Sequence, residues 1–237
     1  VQLLMLSATI DKPEKFAEWI EKIHKESSKQ VFLSTTNIRF VPLEHYLWLG
    51  ANAGIIKNIK DKEFKEQFNK NKNKLHLIKA QNKPFEELTY HKVNKYITYI
   101  KKNNLFVKRQ HVLNELTSYL KQNEMIPAIY FVYSRANVEK YANDITISMF
   151  SEDEETYPQI IDKGCRQILS KLPNYEEYLH LPEYVNMIKL FQKGIGIHHS
   201  GIMPVLREMV EILFEKRYIK LLFATETFAV GLNMPTK

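Results

Sequence analysis

Four short groups in this 237-residue chain carry side chains that suit phosphate: Ser7-Ala8-Thr9, Ser134-Arg135, His199-Ser200-Gly201 and Thr225-Glu226-Thr227. Hydroxyls, an imidazole and a guanidinium can all donate hydrogen bonds to anionic oxygens, the arginine through a planar fork. Each group follows a short apolar run that reads as a strand, and the first three precede a helix-patterned run. The start of a helix presents unpaired N–H groups and a partial positive charge, which adds to the attraction for phosphate. The pattern therefore suggests a phosphate-lined groove, and it leaves open whether the phosphates belong to a nucleotide or to a polymer. Ser134 or Thr9 taken alone is more often a helix cap than a ligand. Their joint order with the other groups lifts them above that reading.

His198 and His199 also invite a zinc reading. No second His/Cys pair stands at ligand spacing and Cys165 is the only cysteine, so no metal site is expected. Asp153-Glu154-Glu155-Thr156 is the nearest thing to an acidic Mg²⁺ box, but it follows no apolar strand and reads as a solvated loop. No G-x-x-x-x-G-K-[ST] phosphate loop occurs, since Gly50 and Gly54 have the wrong spacing and no Lys-Ser/Thr follows them.

The elements that must position these groups read as an α/β pattern. Val1–Leu6 looks like a buried strand, followed by a helix from Pro13 with Phe16, Ala17, Ile20 and Ile23 on one face. Val31–Leu33 and His45–Leu49 are strand-like. Ala128–Tyr133 predicts a strand, Ser134 caps a helix that turns Val138, Tyr141, Ala142 and Ile145 inward, and Gly194–His198 and Tyr218–Ala224 flank a helix over Pro204–Lys216. No hairpin signal joins the late strands, so the pattern predicts a parallel sheet covered by helices, with all strand-to-helix loops of one domain on one rim. Polar insertions are expected near 51–110 and 148–185.

Hydrophobic content of 44% and charged content of 26% are those of an ordinary globular protein, and no run reaches the roughly 18 apolar residues of a membrane helix. A net charge of +7 favours a polyanionic partner. Residues 57–110 hold 15 Lys/Arg against 5 Asp/Glu, more than the whole excess. That stretch reads either as a nucleic-acid surface or, with slightly more weight, as a lysine- and asparagine-rich insertion kept soluble by charge. Its aromatics, Phe64, Phe68, Phe85, Tyr90, Tyr96 and Tyr99, recur at helical intervals. The single cysteine and the lack of a signal sequence suit an intracellular protein, cytoplasmic or nuclear.

Two segments carry a family resemblance: GIGIHHSG at 194–201 and KLLFATETFAVGLNMP at 220–235. In this order they resemble motif V and the segment before it in the second RecA-like domain of superkiller-like helicases, superfamily-two DExH enzymes. VPLEHYLW at 41–48 is similar to the entry to that domain. The resemblance implies a RecA-like fold, with the end of the first RecA-like domain over 1–35 and a truncated second domain over 36–237. It implies that Ser7, Ala8 and Thr9 form the coupling motif III, and that Ser134, Arg135, His199, Ser200, Gly201, Arg207, Thr225 and Glu226 lie on the RNA side. Gly231 and Asn233 would face ATP. ATP and Mg²⁺ would be held mainly outside this segment, because the family's phosphate loop and acidic box precede motif III and its motif VI follows motif V. What the resemblance implies is a fragment of an ATP-dependent RNA helicase, inactive alone, acting on single-stranded or tailed RNA with RNA-decay machinery as a possible partner. A DNA helicase of the same superfamily and a non-hydrolysing RNA-binding module are the alternatives, and the flanking sequence would separate the last.

Overall fold

Proline opens three of the helices, at the one place where its missing N–H breaks no helical bond. In the computed structural model, which describes residues 3–7, 10–23, 30–36 and 41–229, the first of these is α1 (Pro13–Ile23). The predicted helix is there, but none of its residues is buried. The predicted buried strand before it is not formed: Leu3, Leu4, Met5 and Leu6 carry no regular structure and are exposed, Leu6 at 86%. A run apolar on both faces is buried only with neighbours on both sides, and no strand among the described residues pairs with it. Val31–Leu33 is likewise unpaired.

The expected polar insertion over 51–110 is instead a small folded unit. β1 (His45–Trp48) pairs antiparallel with β2 (Leu75–Lys79), Trp48 opposite Leu75. Between them lie α2 (Ala53–Asn58), capped by Asn52, and α3 (Lys62–Asn71), capped by Asp61. α4 (Glu87–Lys102) follows. Leu49, Ile55, Ile59, Phe68, Val93 and Tyr96 form the unit's own core, and the helical spacing of Phe64, Phe68, Tyr96 and Tyr99 is used there, with Phe64 and Tyr99 ring centroids 4.5 Å apart. α5 (Arg109–Gln122) joins this unit to the rest. It meets Asn73 through Glu115 (2.9 Å) and Trp48 through Tyr119 on one side. On the other, Arg109 pairs with Asp144 at 3.0 Å and Thr117 bonds Tyr130 at 3.1 Å.

β3 (Ala128–Phe131) leads into α6 (Arg135–Asp144), which buries Val138 and Ala142 as predicted, and Ile145 beyond it. α7 (Tyr157–Leu169) and α8 (Tyr175–Leu179) fill the second expected insertion. Here too the expectation is corrected: Ile161, Cys165 and Leu169 recur every fourth residue of α7 and are buried in the main core. Burial pushes the Cys165 thiol up to about 12. Glu154 is no solvated loop residue either. It sits in a 3-10 turn and takes a 2.6 Å ion pair from Lys220. Burial alone would raise its carboxyl, but Lys220 and Ser151 hold it below its ordinary value.

α9 (Pro182–Phe191), β4 (Ile195–His198), α10 (Pro204–Glu215) and β5 (Leu221–Ala224) complete the chain's order. The three late strands form a parallel sheet in the order β3-β5-β4. β5 is central, and every residue of β4 and β5 is buried. α10 turns Leu206, Met209, Val210, Leu213 and Phe214 inward at the spacing of one helix face. The α/β reading of parallel strands covered by helices therefore holds.

Candidate functional site: one rim of the parallel sheet

Parallel pairing brings the ends of three strands to one edge. Phe131 and His198 both stand opposite Ala224, so the groups that follow them emerge together. Backbone bonds continue the ladder past the strands: the Val132 N–H donates to the Ala224 carbonyl (2.8 Å) and the Thr225 N–H to the His198 carbonyl (3.1 Å). Three of the four predicted groups are thereby assembled. Of the fourth, Ser7 is exposed in the N-terminal segment, and Ala8 and Thr9 fall outside the described residues. So do Gly231 and Asn233, the expected nucleotide-facing positions.

Ser134 occupies the N-cap of α6, but its side chain makes no capping bond. Arg135 is the first helical residue and is exposed. A cation there adds to the positive end of the helix dipole, which is unfavourable until an anion arrives. Its natural neutraliser one turn on, Glu139, is turned away and accepts from His199 Nε2 at 3.1 Å. Arg135 forms no ion pair among the described residues.

The buried His199 is fixed from both ends. The Gly201 N–H donates to its Nδ1 at 3.1 Å, so Nδ1 is the acceptor and Nε2 carries the proton given to Glu139. Gly201 is needed here for space: a Cβ would come within 3.1 Å of His199 Nδ1 and 3.5 Å of Arg135 Cδ. That closeness places the α6 start and the His199 loop side by side. Ser200 lies exposed between them.

His198, also buried, ends β4. Its Nε2 bonds Glu211 of α10 at 2.8 Å and its ring meets Phe228 edge-on at 4.6 Å. Burial pushes its pKa below the ordinary value of 6.5, against the pull of Glu211, and Arg207 pushes the same way. His198 is therefore neutral at pH 7, and Nε2–H donates to the carboxylate. Arg207 lies one turn into α10, half-buried, with its Nε unpartnered. Thr225 is 9% exposed directly after β5. Glu226 is exposed and, with Phe131, Val132 and Tyr133, lines a shallow hollow on the same rim. A larger cavity of ≈ 600 Å³ lies by α7 and α8 and is lined by none of these residues.

Glu139 and Glu211 were not singled out from sequence. A signal for them exists: both belong to an Arg-x-x-Val-Glu run, 135–139 and 207–211, on the helix that follows a phosphate-suited group. Among the described residues no group of three His, Cys, Asp or Glu side chains could hold a metal ion.

An α/β parallel sheet with hydroxyl, imidazole and guanidinium groups on one rim is the arrangement of a RecA-like helicase domain. No protein-family model matches the chain. Along its whole length it is 30% identical to part of the DExH-box ATP-dependent RNA helicase DExH9 of Arabidopsis thaliana. Over 99% of its length it is 32% identical to the ATP-dependent RNA helicase mtr4 of Schizosaccharomyces pombe. It is 29% identical to the human Superkiller complex protein 2, again along its whole length. The chain spans 23%, 20% and 18% of these relatives, about a fifth of their length. These likenesses place it in the superkiller-like group of superfamily-two DExH helicases.

Proposed function

We propose that the protein carrying this chain is an ATP-dependent RNA helicase that translocates on and unwinds RNA, in RNA decay or processing. Residues 1–35 end its first RecA-like domain and 36–237 belong to its second. The observation that carries this reading is the rim: Ser134, Arg135, the His199–Gly201 loop and Thr225 converge, with Arg135 unpaired at a helix N-terminus. Such a surface binds consecutive phosphates of a single strand and reads no base. Thr225 and the free N–H groups of α6 hold one phosphate, and Arg135 holds its neighbour. Glu226 and Arg207 are also assigned to the RNA side.

ATP supplies the free energy of translocation, and Mg²⁺ neutralises its phosphates. Gly231 and Asn233 are the positions assigned to the nucleotide side, with Ser7, Ala8 and Thr9 relaying its state. The rest of the nucleotide machinery is not carried by these residues, so the 237-residue chain alone hydrolyses no ATP. A full-length preparation, assayed for hydrolysis and for unwinding of tailed duplexes, should be stimulated by single-stranded RNA. Stimulation by DNA alone, or RNA binding without any hydrolysis, would overturn the reading in favour of a DNA helicase or of a binding module.

A further inference from the structure

The lysine-rich unit between the expected motifs is a charged surface that the rim leaves unused. Fourteen of the 15 basic residues in 57–110 are lysines, and in no case does the ammonium group take an ion pair or a hydrogen bond among the described residues. This is not for want of acids at helical spacing. Asp61 stands four residues before Lys65, and Glu66 four before Lys70, the geometry in which such pairs usually meet. Asp61 instead caps α3 through the Phe64 N–H at 3.0 Å, and Glu63 accepts from Gln67 at 3.1 Å.

The lysines are also ordered. Lys62 and Lys65 share one flank of α3, with Lys72 at its C-cap, and Lys92, Lys95 and Lys102 share one flank of α4. The two helices meet through an aromatic seam: Phe64 stands 5.4 Å from Tyr96 and 4.5 Å from Tyr99, and Phe68 stands 5.3 Å from Tyr96. Lys95 Nζ lies 5.8 Å from the centre of the Phe64 ring, over that seam. These rings are spent on the seam, and the exposed ring of α4, Tyr90, lies against Phe85 at 5.6 Å, so what the helix pair offers a polyanion is chiefly charge. Point charges on flexible stems suit phosphates and not bases.

We propose that α3 and α4 form a second, sequence-independent RNA-binding surface, separate from the rim, which holds the phosphate backbone of the same substrate. This rests on the RNA reading above. The surface tethers RNA while the rim steps along it, so it contributes to affinity and not to turnover.

The test compares the full-length protein with a variant in which Lys62, Lys65, Lys72, Lys92, Lys95 and Lys102 are all changed to Gln, and with one in which all six are Arg. RNA affinity is measured on a single-stranded oligonucleotide across a salt series, and RNA-stimulated ATPase at saturating RNA. Each lost single-strand phosphate contact lowers the slope of log K against log salt by about 0.7. Loss of three contacts lowers it by about 2, and the affinity at 0.1 M salt by about a hundredfold. The Gln variant should show this loss with kcat unchanged, and the Arg variant should keep wild-type slope and affinity. An unchanged slope in the Gln variant, as expected if the surface serves an acidic protein, overturns the proposal and leaves the rim reading intact. Failure of the Arg variant to retain binding overturns it too, since the lysines would then be structural. Absence of any RNA binding by the unaltered protein sinks the rim reading and this one together.

Discussion

Replacing Arg135 by Ala should make the fold more stable and the protein worse at holding RNA, a combination that a structural arginine would not give. In the free protein the guanidinium is exposed at the first residue of α6, and the carboxylate one turn on is occupied by His199. A cation at a helix N-terminus costs about 0.3–1 kcal/mol, and alanine also has the better helix propensity. For a chain of this size that corresponds to a rise in Tm of about 1–4 °C. Against RNA the sign reverses. A hydrogen bond between charged groups contributes about 1.5–3 kcal/mol, or a 10- to 150-fold weaker Kd when lost. One single-strand phosphate contact fewer flattens the salt slope by about 0.7. Fluorescence anisotropy on a labelled RNA at several salt concentrations, beside a thermal melt, reads all three quantities. A lower Tm together with weaker binding would mean that Arg135 supports the turn and not the ligand. An unchanged affinity and slope would remove Ser134 and Arg135 from the RNA path.

Gly196→Ala should destabilise the sheet by about 1–3 kcal/mol, because the new methyl would come within 2.8 Å of Ile219 Cδ1 in the fully buried β4; an unshifted urea midpoint would refute the packing described. The buried His198 predicts a pH dependence whose sign follows from its lowered pKa: the unfolded chain binds the proton more readily, so stability is complete above about pH 6.5 and falls as pH drops below it. Urea midpoints at pH 7.5, 6.5 and 5.5 should therefore decline in the parent and decline less in His198→Gln, and parallel profiles would rule out His198 as the source.

The late strands were legible because IGIH and LLFA are short runs buried on both faces, bounded by a glycine or a turn and followed by helical periodicity. Both appear within three residues of the expected places. β2 was not legible. Its partner lies 26 residues back across two helices, so no turn signal joined LHLIK to HYLW, and lysines and asparagines on either side suggested a loop. α7 was hidden differently: Ile161, Cys165 and Leu169 stand at helical spacing, but the acidic run before them and Asp162, Lys163, Arg166 and Gln167 between them gave the stretch a polar look. At the N-terminus the error ran the other way. Leu3 to Leu6 carry the composition of a central strand, but composition cannot supply the neighbours that bury one. The candidate residues Ser134, Arg135 and Thr225 stand out by their positions at strand ends, whereas the carboxylates that hold the histidines resemble any glutamate on a helix.

Those carboxylates explain why the rim is charged as it is. Arg135 and Arg207 each stand four residues before a glutamate, with a buried valine between them, Val138 in one helix and Val210 in the other. On an isolated helix each arginine would pair with its own glutamate and little net charge would remain. In the fold His198 ends β4 and His199 follows it, and their side chains part, His199 toward α6 and His198 toward α10. Each takes the local glutamate, at 3.1 and 2.8 Å. The two imidazoles thereby hold two carboxylates away from two guanidiniums. The same bonds tie the end of β4 to α6 and to α10, so the spacing of these loops is set by the groups that leave the arginines unpaired. A rim built this way does not have to break an internal ion pair before it binds a phosphate.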